Sequence, residues 1–153
     1  MSVIDTLITD RTVQDVDELY TLLSQGQNPP EGHKGAYNAS DLNRVGQAVS
    51  YLVGRLDGIG INLDVDSKTD WTETDIPTQS QMQKYLDAIW SIWVSVMAYR
   101  PDIELPEGMR FLDYIGANQI EDLLKQTDLA ITRVELSYRQ YSGRQISGVN
   151  CLP

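Results

Sequence analysis

Cysteine, histidine and phenylalanine are nearly absent from this sequence. Its 153 residues hold one Cys, one His and one Phe. With Cys151 alone, the chain can form no internal disulfide and no cysteine-based metal site. With His33 alone, it can build no site that needs two imidazoles, such as H-E-x-x-H. Positive charge is scarce too. There are 12 Lys and Arg against 22 Asp and Glu, a formal net charge of −10, and the pI is near 4.4. Neutralising phosphates needs a basic surface, so these numbers argue against a nucleic-acid partner. Arg133, Arg139 and Arg144 near the C-terminus are too few to reverse that. The same charge favours solubility and repels an anionic membrane. Long hydrophobic runs are missing as well. The most apolar window, Ala88–Tyr99, is about 12 residues, against the roughly 20 needed to cross a bilayer. Met1–Asp10 has neither the basic region nor the apolar stretch of a signal peptide. No membrane or nucleic-acid partner is expected. The protein is expected to stay in the cytoplasm unless it leaves within a larger particle.

What is present is a set of helical stripes in one domain's length of chain. Hydrophobic residues make up 41% of it, enough for one core. Met1–Asp10 reads as an extended arm or short strand. Val13, Val16, Leu19, Tyr20 and Leu23 share one face of a helix over Thr12–Gln25, with Thr12 as cap and Asp15 three residues on. Gln27–Gly35 is a Pro- and Gly-rich loop. Asn38 caps a second helix whose stripe is Leu42, Val45, Val49, Leu52 and Leu56. Gly46 and Gly54 within it would permit close helix approach, each costing about 1 kcal/mol of propensity. Ile61–Pro77 is an acidic loop. Thr78 and Gln81 form an S/T-x-x-Q capping box for a third helix that runs to about Tyr99, with Arg100 in its last turn and Pro101 as its stop. A fourth helix starts between Leu112 and Asn118 and runs to about Tyr138. Asn118, like Asn38, reads as a cap. The expectation is an all-α fold: an irregular bundle of about four main helices (11–141) with extended arms at 1–10 and 142–153.

Candidate chemistry is thin. Asn62, Asp64, Asp66, Lys68, Asp70 and Glu73 occupy positions 1, 3, 5, 7, 9 and 12 of an EF-hand frame. Position 1 is Asn rather than Asp, and position 6 is Ser67 where Gly allows the turn. Asn62, Asp64, Asp66, Asp70 and Glu73 are thus a weak calcium set, and the alternative is a solvated acidic connection. His33 has no G-x-S-x-G or similar context and reads as a solvent-exposed loop residue. Paired carboxylates can be nominated anywhere among 22 acids, and spacing prefers none. No catalytic residue and no cofactor follow. Trp90 and Trp93 belong mostly to the core, with part of their helix free to face a partner. Trp71 either caps the bundle or makes an exposed contact. Ile146 and Val149 are apolar residues of the C-terminal tail. Trp71, Trp90, Trp93, Ile146 and Val149 are the nominated interaction residues.

Three segments carry a resemblance: L-I-T-D-R-T at Leu7–Thr12, K-G-A-Y-N-A-S-D-L-N-R-V-G at Lys34–Gly46, and K-T-D-W-T-E-T-D-I-P-T at Lys68–Thr78. Y-I-G-A-N-Q-I-E at Tyr114–Glu121 and Y-S-G at Tyr141–Gly143 fit as well. Together they resemble small helical domains encoded among tail and baseplate genes of phages and prophages of Gram-positive bacteria. Such domains are often appended to longer tail or fibre proteins. This chain begins almost at its first motif, so it reads as a free-standing copy. The resemblance implies a non-enzymatic virion component, tail-, baseplate- or fibre-associated. It would be assembled in the host cytoplasm, contact other phage structural proteins and form homo-oligomers. Both arms are candidates for strand exchange with neighbours. The alternatives are a host-surface glycan or receptor-binding module, with Trp71 and nearby carboxylates as its best feature, and a small phage-encoded enzyme or regulator.

Overall fold

Three of the four long helices start at capping boxes. In each, a side-chain oxygen meets the free amides of a first helical turn, and the third residue of that turn bonds back. Thr12 with Asp15 opens α1 (Val13–Ser24), and Asn38 with Asp41 opens α2 (Ala39–Gly58). Thr78 with Gln81 opens α3 (Gln79–Val96). Asp113 accepts from the Gly116 amide at the start of α4 (Tyr114–Ser147). The computed structural model describes residues 2–30, 32–96 and 104–147, with the backbone alone for 141–147. Among the described residues the fold is all-helical, with these four helices, one short 3-10 turn and no strand. That is the bundle expected from the sequence.

The directions of the helices are unusual for a small bundle. Arg44 near the start of α2 bonds Glu121, and Arg55 near its end bonds Asp128 and Glu135. The two helices therefore run parallel. Segment 61–77 returns along α2, with Lys68 beside Gly46 and Trp71 beside Asn43. It delivers the chain to α3 level with the start of α2, where Tyr37 and Tyr85 share a hydrogen bond of 2.6 Å. Segment 104–113 returns in turn along α3. It passes Trp90 first and Gln79 later, then starts α4 at the same end. Hence α2, α3 and α4 all point one way. The core between them is Val45, Val49, Leu52, Leu56, Ile89, Ile92, Ile120, Leu123, Leu124 and Ile131, each almost fully buried.

Several expectations are corrected. The N-terminal arm is not extended throughout: Val3–Thr6 is a 3-10 turn capped by Ser2, Leu7 after it is extended, and Ile4 and Leu7 are buried in the core. An arm with two core side chains is part of the body. The C-terminal boundary at 141/142 falls inside α4, which continues to Ser147 despite Gly143. Segment 142–147 is thus helix rather than the extended tail expected. Asn118 is not a cap but lies within α4. Gly54 has open space beside it, whereas Gly46 receives the returning Lys68 carbonyl rather than a helix; a Cβ there would sit 2.5 Å from that oxygen. The expected end of α3 at Tyr99, with Arg100 and Pro101, lies outside the described residues, as does Cys151.

Candidate functional site

Three of the five motif segments converge on one buried cluster of charge. Arg11 and Asp41 are 3% and 4% exposed, and Glu121 is fully buried. Arg11 Nη2 donates to Asp41 Oδ1 at 2.9 Å and to Glu121 Oε1 at 2.6 Å. Arg44 grips Glu121 with two bonds, Nε to Oε2 at 3.1 Å and Nη2 to Oε1 at 2.8 Å, and also bonds Asp41. Two cations meet two anions, so the cluster is neutral. Burial pulls the Arg44 guanidinium down, but bonds and charge from Glu121 and Asp41 outweigh it and hold it above its ordinary value.

The same residues fix the path of the backbone. Glu121 Oε2 accepts from the Ile8 amide at 2.6 Å, and Arg11 Nη1 donates to the Ile8 carbonyl at 2.8 Å. Asn118 takes both backbone groups of Arg11: its Oδ1 accepts from the amide and its Nδ2 donates to the carbonyl. Asn43 does the same to Trp71. Each amide side chain stands in for a neighbouring strand, satisfying the backbone of an extended segment that has none. Gly35, also in a motif, lets its loop lie on the Asp15 carbonyl; a Cβ there would be 2.1 Å from that oxygen. The polar residues that carry the resemblance are thus holding the fold. The sequence alone did not single out this cluster, because apart from Asp41 and Arg44, three residues apart, its members lie 30 to 110 positions from one another.

The nominated residues fare differently. Trp71 is buried at 7% exposure, so of its two readings it caps the bundle, and it is not a contact surface. Lys68 lies over its ring at 4.8 Å. The calcium frame does not converge. In segment 61–66 the side chains alternate, with Ile61, Leu63 and Val65 packed against the core and Asn62, Asp64 and Asp66 exposed. Asp70 is paired with the Lys68 ammonium at 2.8 Å, which holds its carboxyl below the usual range. Glu73 is exposed. Among the described residues no three His, Cys, Asp or Glu gather to hold a metal ion. His33 is not the exposed loop residue expected. Its side chain is 10% exposed; its Nδ1 accepts from the Gly35 amide at 3.0 Å and its Nε2 lies 3.8 Å from Glu18. Trp93 is core at 3% exposure, while Trp90 is 50% exposed. Ile146 lies in the last turns of α4, and Val149 lies outside the described residues.

Two grooves flank the return segment 104–112. One, of about 620 Å³, is lined by Tyr37, Leu42, Met82, Met109, Glu107 and Arg110. The other, of about 540 Å³, lies between Trp90, Asp87, Glu104 and Glu107. Tyr37, in the wall of the first, is hydrogen-bonded to Tyr85, and burial pushes both phenols up from their ordinary value.

Among the described residues, the surfaces best shaped for contact are the exposed faces of two helices. None of the residues of α1 is buried, and Val13, Tyr20 and Leu23 are 46%, 67% and 51% exposed. At the other end of the molecule, α4 outruns its neighbour. Arg55, near the end of α2, bonds Glu135, and α4 continues 12 residues further to Ser147, about 18 Å at 1.5 Å per residue. Residues 136–140 are all exposed. No helix among the described residues is long and apolar enough to cross a membrane. Compared with known proteins, the chain matches no family model, no curated protein and no solved structure.

Proposed function

We propose that the chain is a non-enzymatic structural or adaptor component of a phage or prophage particle, tail-, baseplate- or fibre-associated. It works through protein–protein contacts with other particle proteins and with copies of itself, and its place is the virion. The observation that carries this reading is α1, a capped amphipathic helix of 12 residues with no residue buried. A helix that short is marginal in water on its own. An apolar stripe left open on it is a surface awaiting a partner. Quantitative mass spectrometry of particles purified from the encoding phage or induced prophage tests the reading. The expected result is the chain at a fixed copy number per particle. Its absence from particles overturns the virion reading in favour of a regulator.

A glycan-binding role has one support, the half-exposed Trp90 over a groove with Asp87 and Glu104. An aromatic face with flanking acceptors suits a sugar ring. Binding to host cell-wall polysaccharide that disappears in Trp90→Ala would favour it, and no binding by the parent chain would remove it.

A further inference from the structure

We propose that the projecting end of α4 docks on the open face of α1 in a second copy of this chain, joining copies head to tail. The proposal rests on the reading of the chain as a self-associating particle component, and it names the two surfaces.

The charges of the two helices are opposite. Every Asp and Glu of the sequence lies at or before Glu135, and the stretch 136–153 carries Arg139 and Arg144 with no acid. A strongly acidic body thus ends in a cationic helix. Conversely, α1 carries Asp15, Asp17 and Glu18, and no Lys or Arg lies between Thr12 and His33. Asp17 is exposed and the Glu18 side chain is 77% exposed. Both helices also offer apolar surface. Leu129 and Leu136, seven apart and so on one side of α4, are each 51% exposed, and Tyr138 is 65% exposed. Across from them would lie Val13, Tyr20 and Leu23. Opposite charge sets orientation and encounter rate, while apolar contact supplies the holding force.

Geometry places the contact between copies. Asn118 clamps Arg11, so α1 begins level with Asn118. Leu136 lies 18 positions further along α4, about 27 Å of helix, and α1 spans only about 18 Å. Two different patches, far apart on one chain, make a heterologous contact. Such contacts close into a ring or extend into a filament.

Sedimentation velocity on the full chain over a range of concentrations tests this. The expected result is self-association whose apparent Kd rises at least about tenfold from low to high salt, because screening weakens exposed charge pairs. One variant carries Arg139→Glu and Arg144→Glu, and a second carries Tyr20→Asp and Leu23→Asp. Each alone is expected to be monomeric, with circular dichroism, and Tm at low concentration, close to the parent. Mixed, they retain one intact α4 end and one intact α1 face between them, so they should form a 1:1 dimer that grows no further. A parent chain that stays monomeric throughout overturns the docking, while the copy number in particles still decides the virion reading. Oligomers that persist in either variant, or variants that give no dimer on mixing, also overturn it.

Discussion

The half of the bundle around Glu121 and two exposed helix surfaces, α1 and the end of α4, treat charge and apolar surface in opposite ways. Around Glu121, four charged side chains are sealed and cancel one another, and nearly every hydrogen-bonding atom is committed. Along α1 and the end of α4, charge is of one sign per helix and apolar side chains face outward. The first arrangement makes a chain path unique. Extended segments have few stable routes across a helical core, and pairing them to buried amides and carboxylates leaves only one. The second arrangement contributes little to the fold of one copy, and for that reason it points outside the copy. The difference teaches where function lies in a chain without a catalytic cluster: not in its most ordered polar residues, but in the surface its own fold leaves unused.

The largest way to break the comparison is to remove an anion from the sealed half. Glu121→Ala leaves Arg11 and Arg44 facing Asp41 alone, an uncompensated charge in a buried place. The expected loss is about 3–5 kcal/mol by urea unfolding. Glu135→Ala, whose side chain is 34% exposed beside Arg55, is expected to cost under about 1 kcal/mol. Equal losses would erase the distinction between the two halves.

Next in size are two glycines of one helix. Gly46→Ala pushes a Cβ against the Lys68 carbonyl and Ser67 Oγ, and displacing that backbone is expected to cost about 1–3 kcal/mol. Gly54→Ala meets nothing and is expected to add about 0.5–1 kcal/mol through helix propensity. Thermal unfolding of the two variants should move in opposite directions.

A pH series sharpens the picture at the Tyr37–Tyr85 pair. Both phenols are raised by burial, whereas an unfolded chain ionises them near pH 10. The stability they contribute is therefore full below about pH 10 and lost as pH climbs toward the folded values, at up to about 1.4 kcal/mol per unit for each. Denaturant midpoints between pH 9 and 11.5 should fall steeply in the parent. They should fall less steeply in the Tyr37→Phe, Tyr85→Phe variant, whatever its starting stability. Parallel slopes would mean the pair ionises as if exposed.

What was legible in the sequence was local. Thr12 with Asp15, Asn38 with Asp41 and Thr78 with Gln81 are three residues apart, and the stripe Leu42–Leu56 repeats within one helix. Such signals need no knowledge of the rest of the chain. What was missed depends on distant partners. Asn118 carries the side chain of a cap, but its role is set by Arg11, 107 positions away. The packed role of Ile61, Leu63 and Val65 was visible as strict alternation. The acids between them, which fit a calcium frame by count, drew the reading elsewhere. The arm that holds Ile4 and Leu7, and the loop residue His33, were misplaced because a short segment says little about which loop lies over which core. For the proposed contact, the stripe on α1 was legible and its exposure was not: periodicity tells which residues share a face, never whether that face is covered.

That last point carries the smallest prediction. Leu23 belongs to the α1 stripe by spacing and would count as core from sequence alone. At 51% exposure it has little surface to lose, so Leu23→Ser is expected to change the unfolding free energy by under about 0.5 kcal/mol at concentrations where the chain is monomeric. Leu52→Ala, in the same kind of stripe on α2 but fully buried, is expected to cost about 2–5 kcal/mol. At high concentration the balance shifts. If α1 is covered by a second copy, Leu23→Ser should lower Tm relative to the parent there, because binding to the folded state adds stability by mass action and the variant loses that addition. A Tm gap that widens with concentration separates a helix that is idle from one that is an interface. A gap that stays flat would return α1 to a merely exposed element.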